Sequence, residues 1–185
     1  MDLLIDELSS PLGTIVIAAC EGRLCGLDFG ESRPRMLADL SARFDGPRVK
    51  AARDPFGIGR RIRAYMAGEL AAIDDIAVDP GGTRFQRIVW AALRRVAPGT
   101  TVTYADLARR IRHPSAVRAV GAANGRNPVA IVIPCHRMIG SDGSLTGYGG
   151  GLRRKSWLLE HEGAIARDAG LAGTRVRSRA SRGQR

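Results

Sequence analysis

The stretch from Asn127 to Arg137 (NPVAIVIPCHR) contains the residues whose types and spacing could carry chemistry. It places a thiol, Cys135, directly before an imidazole, His136. A thiol with a neighbouring base is a candidate nucleophile. The alternative is a buried cysteine that acts as a small apolar residue, and Cys-His adjacency alone does not decide between the two.

The residues before this cysteine should determine how it is presented. Residues 129–133 are apolar and mostly β-branched, which predicts a short strand buried on both faces. Pro134 has no amide proton for a strand ladder, so the strand should end there and present Cys135 at its end.

Composition and charge favour a globular protein with a polyanionic partner. The 185 residues are 44% hydrophobic and 25% charged, enough for one medium domain or two small ones. The net charge of +11 favours nucleic acid as the partner. Residues 166–185, with six arginines against one aspartate, are expected to form a basic, disordered tail whose role is open. An arginine-rich proteome is a second explanation for the charge, because lysine is nearly absent.

The cysteine pattern and the amino terminus favour a cytoplasmic protein. The three cysteines make an odd count, there is no signal-peptide pattern, and no apolar run is long enough to span a membrane. Cys20 and Cys25 have no neighbouring histidines, so we expect them to be packing residues and predict no metal site.

The sequence of the first half predicts a small α/β unit. A turn near Gly22 separates two apolar runs that predict a hairpin, and Asp79–Gly82 is a break at which we place a boundary between domains 1–80 and 82–165. The predicted elements are strands at 14–20 and 24–29, helices at 34–44 and 55–66, and a strand at 73–78.

The second half begins with helices. Residues 83–96 predict an amphipathic helix. Residues 103–111 open with a Thr-x-x-Asp pattern typical of a capping box, and 116–124 follow after a short turn, with Ser115 as the expected cap. This is the outline of a helix-turn-helix, although an ordinary αα-hairpin fits the pattern equally well. The second helix is rich in Ala and Gly, and Arg118 is its one long cation.

A glycine-dense loop follows the Cys-His pair. Residues 140–151 surround Tyr148 but lack the strand-loop-helix pattern of a phosphate loop, which argues against nucleotide binding. Glycines here would let backbone amides approach a flat ligand. A helix over 155–162 should close the body and end at Gly163.

Taken together, residues 82–163 resemble the O6-alkylguanine-DNA alkyltransferases. The motifs that carry the resemblance occur in order and at the spacing of that family, whereas the first 80 residues match only in outline. Met138 stands where the family more often has valine, and the arginine-rich tail is not part of the family pattern. The motifs are Asn127–Pro128, Pro134–Arg137, Gly147–Gly150, Lys155, Leu158–Gly163 and the helices of Tyr104 and Arg118.

The resemblance implies a fold and an activity. The fold would be a ribonuclease H-like α/β domain, a small sheet plus helices, followed by a mostly helical winged helix-turn-helix domain that binds DNA. The activity would be DNA repair by a monomer without a cofactor. The alkyl group of O6-alkylguanine, and of O4-alkylthymine, in double-stranded DNA would pass to Cys135. The thioether product resists cleavage, so each molecule should act once.

The resemblance also implies roles for individual residues. Cys135 would be the nucleophile and His136 its base, acting through a water, with Glu162 orienting the imidazole and Asn127 holding the network. The other catalytic candidates are Tyr104, which would hydrogen-bond the guanine, and Lys155. The expected minor-groove contacts are Tyr104, Ser115, Arg118, Ala119, Ala122 and Arg126. The expected substrate-pocket residues are Met138, Tyr148, Gly149 and Gly150.

Three other functions remain open from the sequence. One is a silent lesion binder of the same fold, but such relatives replace the cysteine, which is present here. The others are a helix-turn-helix transcription regulator and a cysteine hydrolase that turns over an acyl substrate. Dependence on Cys135 with strictly single turnover would exclude both.

Overall fold

The computed structural model describes residues 1–166, so the predicted basic tail lies outside the described residues except for its first position. Within the described part, no helix has the length and apolarity to cross a membrane. The strands are β1 (Asp2–Ser10), β2 (Gly13–Cys20), β3 (Arg23–Phe29), β4 (Arg48–Ala51), β5 (Val102–Thr103) and β6 (Met138–Ile139). The helices are α1 (Arg33–Arg43), α2 (Ile58–Met66), α3 (Arg84–Leu93), α4 (Tyr104–Arg110), α5 (Val117–Gly125) and α6 (Leu152–His161).

A four-stranded sheet in the order β3-β2-β1-β4 forms the centre of the first half. The predicted hairpin is confirmed, because β2 pairs antiparallel with both β1 and β3. β4, which runs parallel to β1 at the sheet edge, was not predicted. All of its residues are exposed, so it lacks the apolar alternation by which a strand is recognised.

Both faces of the sheet are covered. α1 packs against one face and encloses a small core that includes Cys20 and Cys25 as free thiols with sulfurs 2.8 Å apart. The opposite face joins a larger core shared with α2, α3, α4, α5 and α6. The second half is therefore packed directly on the sheet.

Two elements of the first half differ from prediction. The helix predicted over 55–66 is interrupted, because Phe56 and Gly57 have φ values of 56° and 71°; a 3-10 turn therefore precedes α2. The strand predicted over 73–78 is wrong, and only Val78 forms a bridge to β3. Arg94 donates hydrogen bonds to the carbonyls of Asp74 and Ile76, which occupies acceptors that a strand ladder would need.

Two helices of the second half, α3 and α4, begin at residues whose side chains satisfy free amides. Thr83 and Gln86 form a capping box at the start of α3. At α4 the Thr103 hydroxyl accepts from the amide of Asp106 and donates to its carboxylate, so the cap predicted from the Thr-x-x-Asp pattern forms. The prediction that Ser115 caps the next helix is wrong. Ala116 stands at the cap of α5, without a side-chain hydrogen bond.

We expect the loss of the cap of α3 to destabilise the protein. Thr83→Ala should lower the free energy of unfolding by about 1 kcal/mol, because it removes one partner of the capping box. Ser115→Ala is the matched control and should change it by less than about 0.5 kcal/mol, because the exposed Ser115 caps nothing. Urea denaturation of the three proteins measures both values. Equal losses in the two variants would contradict this assignment of the caps.

Candidate active site

The segment that carries Cys135 is a buried loop, so the strand predicted over 129–133 is wrong. Only Val129 bridges to β3, and the chain then turns back on itself. Asn127 closes this loop: its Oδ1 accepts from the Val129 amide at 3.0 Å and its Nδ2 donates to the Ile133 carbonyl at 2.8 Å. Ile131 takes a φ of 69°, which strains a β-branched residue.

Cys135 is 6% exposed and lies within reach of the same amide. Asn127 Nδ2 donates to its sulfur at 3.0 Å. Burial raises the pKa of Cys135 to about 11, and the Asn127 hydrogen bond and the charge of Lys155 oppose that rise without cancelling it. The thiol is therefore neutral at rest, and its reaction requires a base.

The residue after Cys135, His136, forms a buried hydrogen-bonded pair with Glu162. His136 Nε2 lies 2.9 Å from Glu162 Oε1, and both side chains are buried. An ionised carboxylate only accepts hydrogen bonds, so Nε2 carries the proton and Nδ1 keeps its lone pair. Nδ1 is buried and has no protein partner among residues 1–166. Burial lowers the pKa of His136 despite the opposing charge of Glu162, so the ring is a neutral base.

Glu162 accepts two further sets of hydrogen bonds that the sequence did not assign. Arg137 binds it through Nε at 2.8 Å and Nη2 at 2.7 Å, and also donates to the Val96 carbonyl. The Tyr65 hydroxyl, on α2, donates to Oε1 at 2.7 Å. Burial would raise the pKa of Glu162, but His136 and Arg137 hold it well below its usual range. The adjacency of Arg137 to His136 was a usable signal, whereas nothing local pointed to Tyr65.

Lys155, predicted as catalytic, lies beneath the two loops of the site. Its side chain is fully buried, and its Nζ donates to the carbonyls of Met138 and Thr146. Burial lowers its pKa to about 8. Lys155 thus ties the segment after Cys135 to the glycine loop and contributes positive charge to the site.

The glycine loop brings Tyr148 to the base. The Tyr148 ring meets the His136 ring edge-on, with centroids 6.4 Å apart, and its buried hydroxyl has no partner among the described residues. Gly150 makes room for this ring, since a methyl group there would lie 2.3 Å from Phe29 and 2.8 Å from Tyr148. Gly149 is exposed with open space around it. Met138, also predicted to line the pocket, is fully buried in the core.

The predicted DNA-contacting residues lie together on the surface. α5 turns Val120 and Ala123 inward, and the Trp90 indole of α3 donates to the Ala123 carbonyl at 2.9 Å. Within residues 1–166, Arg118 forms no ion pair or hydrogen bond. The exposed candidates of this region are Ser115, Arg118, Ala119, Ala122 and Arg126.

Tyr104 connects this surface to the glycine loop. It begins α4, and its ring lies 3.7 Å from the position of a methyl group on Gly121 of α5. Its hydroxyl lies 3.7 Å from the position of a methyl group on Gly147. Tyr104 therefore lies between the exposed helix and the loop that carries Tyr148.

A buried cysteine, histidine and glutamate beside a helix pair with an exposed face is the arrangement expected of a DNA-binding protein that reacts through a thiol. Two family models match the chain: residues 84–164 match the 6-O-methylguanine DNA methyltransferase DNA binding domain, and residues 5–80 match its ribonuclease-like domain. The chain belongs to the 6-O-methylguanine DNA methyltransferase family. The resemblance and the fold class expected from the sequence are thereby confirmed.

Individual relatives agree with this assignment. The chain is 45% identical over 166 residues to a methylated-DNA–protein-cysteine methyltransferase of Salmonella typhimurium, covering 88% of this chain and 97% of the relative. Its fold matches the O6-methylguanine methyltransferase structure of Mycobacterium tuberculosis with a TM-score of 0.71 at 38% identity, covering 87% and 93%. A structure of Mycobacterium tuberculosis OGT in complex with DNA matches equally well, with 88% and 93% covered.

We expect the rate of alkylation of Cys135 to follow its thiolate fraction. Alkylation of Cys135 by iodoacetamide should rise about tenfold per pH unit between about pH 7 and 10, because only the thiolate reacts and the pKa is raised to about 11. Asn127→Asp should react more slowly at each pH, since a carboxylate would replace the amide donor beside the sulfur.

Peptide mass spectrometry separates Cys135 from Cys20 and Cys25, and circular dichroism checks the fold of the variant. A reaction that levels off near the ordinary thiol pKa of about 8.5 would contradict the assignment.

Proposed function

We propose that this protein repairs O6-alkylguanine, and O4-alkylthymine, in double-stranded DNA by transferring the alkyl group to Cys135. The observation that carries the proposal is the position of the buried thiol, held by Asn127 and followed by a neutral histidine whose Nδ1 is free to accept a proton. The family and the names of its members agree with this reaction.

The target atom lies inside the base stack, so the nucleotide has to be extruded into the protein, at a cost of a few kcal/mol. We propose that α5 enters the minor groove, because its exposed face carries Ala119 and Ala122, whose small side chains permit close approach. Arg118, which forms no ion pair within residues 1–166, would fill the space that the base leaves. Tyr104 would guide the extruded base toward the glycine loop.

The transfer itself is a displacement at an sp³ carbon. The proton of Cys135 moves through one water molecule to His136 Nδ1, and the Glu162 carboxylate stabilises the imidazolium. The sulfur forms a bond to the alkyl carbon while the carbon–O6 bond breaks, and that electron pair passes to the guanine. Tyr104 donates a hydrogen bond or a proton to the departing base. No group of the site can cleave the thioether, so each molecule acts once.

The proposed reaction needs no residue from a second chain, so we propose that the protein acts as a monomer. The nucleophile also has to stay reduced, which supports the cytoplasm as the location.

The other functions considered from the sequence differ in their covalent outcome. A hydrolase would turn over, and a transcription regulator or silent lesion binder would form no adduct.

The proposed reaction leaves a methyl group on Cys135. After incubation with duplex DNA that carries O6-methylguanine, the intact protein should gain the mass of one methylene group on the Cys135 peptide. The yield should not exceed one methyl group per molecule, and Cys135→Ser should gain none. Intact and peptide mass spectrometry measure both. Lesion-specific binding without an adduct would instead indicate a silent binder, and repeated turnover would indicate a hydrolytic enzyme.

The second prediction concerns Arg118. Arg118→Ala should slow methyl transfer from duplex DNA by about tenfold or more, because extrusion loses its stabilising side chain. The reaction with the free O6-methylguanine base should be unchanged, since that substrate needs no extrusion. Arg60→Ala is the matched control: Arg60 is also exposed, and its loss removes the same charge from the first half. Single-turnover kinetics with both substrates test this, and equal slowing in both variants would contradict a specific role.

A further inference from the structure

Glu162 receives a hydrogen bond from the other half of the molecule. Tyr65 on α2 is fully buried, lies 97 residues earlier in the chain, and donates from its hydroxyl to Glu162 Oε1 at 2.7 Å. The same oxygen accepts from His136 Nε2 at 2.9 Å and from Arg137 Nη2 at 2.7 Å. Three donors therefore share one carboxylate oxygen, and one of them is the base that serves Cys135.

We propose that Tyr65 is a positioning residue for the alkyl transfer: its hydroxyl fixes the Glu162 carboxylate and limits how strongly that carboxylate stabilises a protonated His136. This role rests on the proposed function, because it acts through the base of that reaction. It also gives the first half of the chain a part in the chemistry.

Tyr65 makes two further contacts, both with His161 on α6. His161 Nε2, on α6 next to Glu162, donates to the Tyr65 carbonyl at 2.7 Å. The His161 ring meets the Tyr65 ring edge-on with centroids 5.2 Å apart, and it stacks on Trp157 at 4.8 Å. The ring and the carbonyl of Tyr65 thus contact His161, whereas its hydroxyl is held by Glu162.

The hydroxyl is a permanent donor. Burial and the neighbouring charge of Glu162 raise the pKa of Tyr65 far above its usual range, so it keeps its proton wherever the protein is folded. A donor to Oε1 withdraws charge that would otherwise act on His136 Nε2, and it competes for the same lone pairs. Without that donor, Glu162 would stabilise the imidazolium more strongly.

Other ionisable groups near His136 have opposite effects and stay in place when Tyr65 is changed. Arg137 and Lys155 disfavour the imidazolium, and Glu162 favours it. Tyr148 meets the imidazole ring from the glycine loop, and Cys135 precedes it in the chain. Loss of the Tyr65 hydroxyl changes the balance in one direction, toward a more basic His136.

Tyr65→Phe tests this proposal, because it keeps the ring and removes only the donor. In a plot of the single-turnover methyl-transfer rate against pH, the acidic limb is the range in which the rate falls as His136 becomes protonated. This limb should move to higher pH by on the order of one pH unit, while the affinity for duplex DNA stays unchanged. His161→Phe is the matched control. It removes the other hydrogen bond between α2 and α6 and keeps an aromatic ring, so it should lower the unfolding midpoint without moving the limb.

A second measurement does not depend on catalysis. The chain has three histidines, so NMR can follow each imidazole through a pH titration. The His136 midpoint should rise in Tyr65→Phe and stay unchanged in His161→Phe. If the wild-type protein transfers no methyl group, the proposed function fails, and this titration still decides the role of Tyr65.

Two results would overturn the role of Tyr65. One is a Tyr65→Phe profile and titration that superimpose on those of the wild type, and the other is an equal shift in His161→Phe. Should Tyr65→Phe not fold, 3-fluorotyrosine at position 65 keeps the packing and makes the hydroxyl a stronger donor. The limb and the titration should then move to lower pH, and an unchanged or upward shift would also refute the proposal.

Discussion

A carboxylate that is removed from water has to be compensated by protein donors, and Glu162 carries such a charge between the two halves of this molecule. Its donors come from α2, through Tyr65, and from the turn after the nucleophile, through His136 and Arg137. Removing one partner of a buried ion pair costs about 3–5 kcal/mol. The Tyr65 contact between α2 and the end of α6 and the orientation of the His136 ring therefore both involve the same buried charge.

Asn127 holds Cys135 in place as Glu162 holds His136. Its amide closes the loop before Cys135 and also binds the sulfur, so loop shape and thiol position are fixed together. The loop is strained at Ile131, where a positive φ costs about 1–3 kcal/mol. The Ile131 side chain is fully buried, which contributes about 1.5–3 kcal/mol and offsets that strain. An apolar residue in an unfavourable conformation thus stabilises the segment that presents the thiol.

The same residues explain what the sequence could predict. The hairpin and most helices follow from periodicity, which is local, and their positions were predicted closely. The apolar composition of residues 129–133 fits a buried strand and a buried loop equally well. The Asn127 side chain stabilises the loop, because it hydrogen-bonds to the backbone of Val129 and Ile133. Cys135 and His136 were candidates from their residue types and adjacency, and the resemblance to a family assigned their roles and added Glu162 and Asn127. Tyr65 was not found, because its contact with Glu162 spans 97 residues and leaves no local pattern.

A thiol that reacts only once has to stay unreactive until its substrate arrives, and burial achieves this for Cys135. With a pKa of about 11, only about one molecule in ten thousand carries a thiolate near neutral pH, so small electrophiles find little to attack. In the proposed transfer, moving the proton to His136 would create a thiolate beside Asn127 and an imidazolium beside Glu162, and each charge would meet a partner already in place. Because burial makes a lasting thiolate costly, proton movement is favoured only together with alkyl transfer, which removes the sulfur charge as it forms. The burial that protects the thiol therefore also couples its activation to the arrival of the lesion.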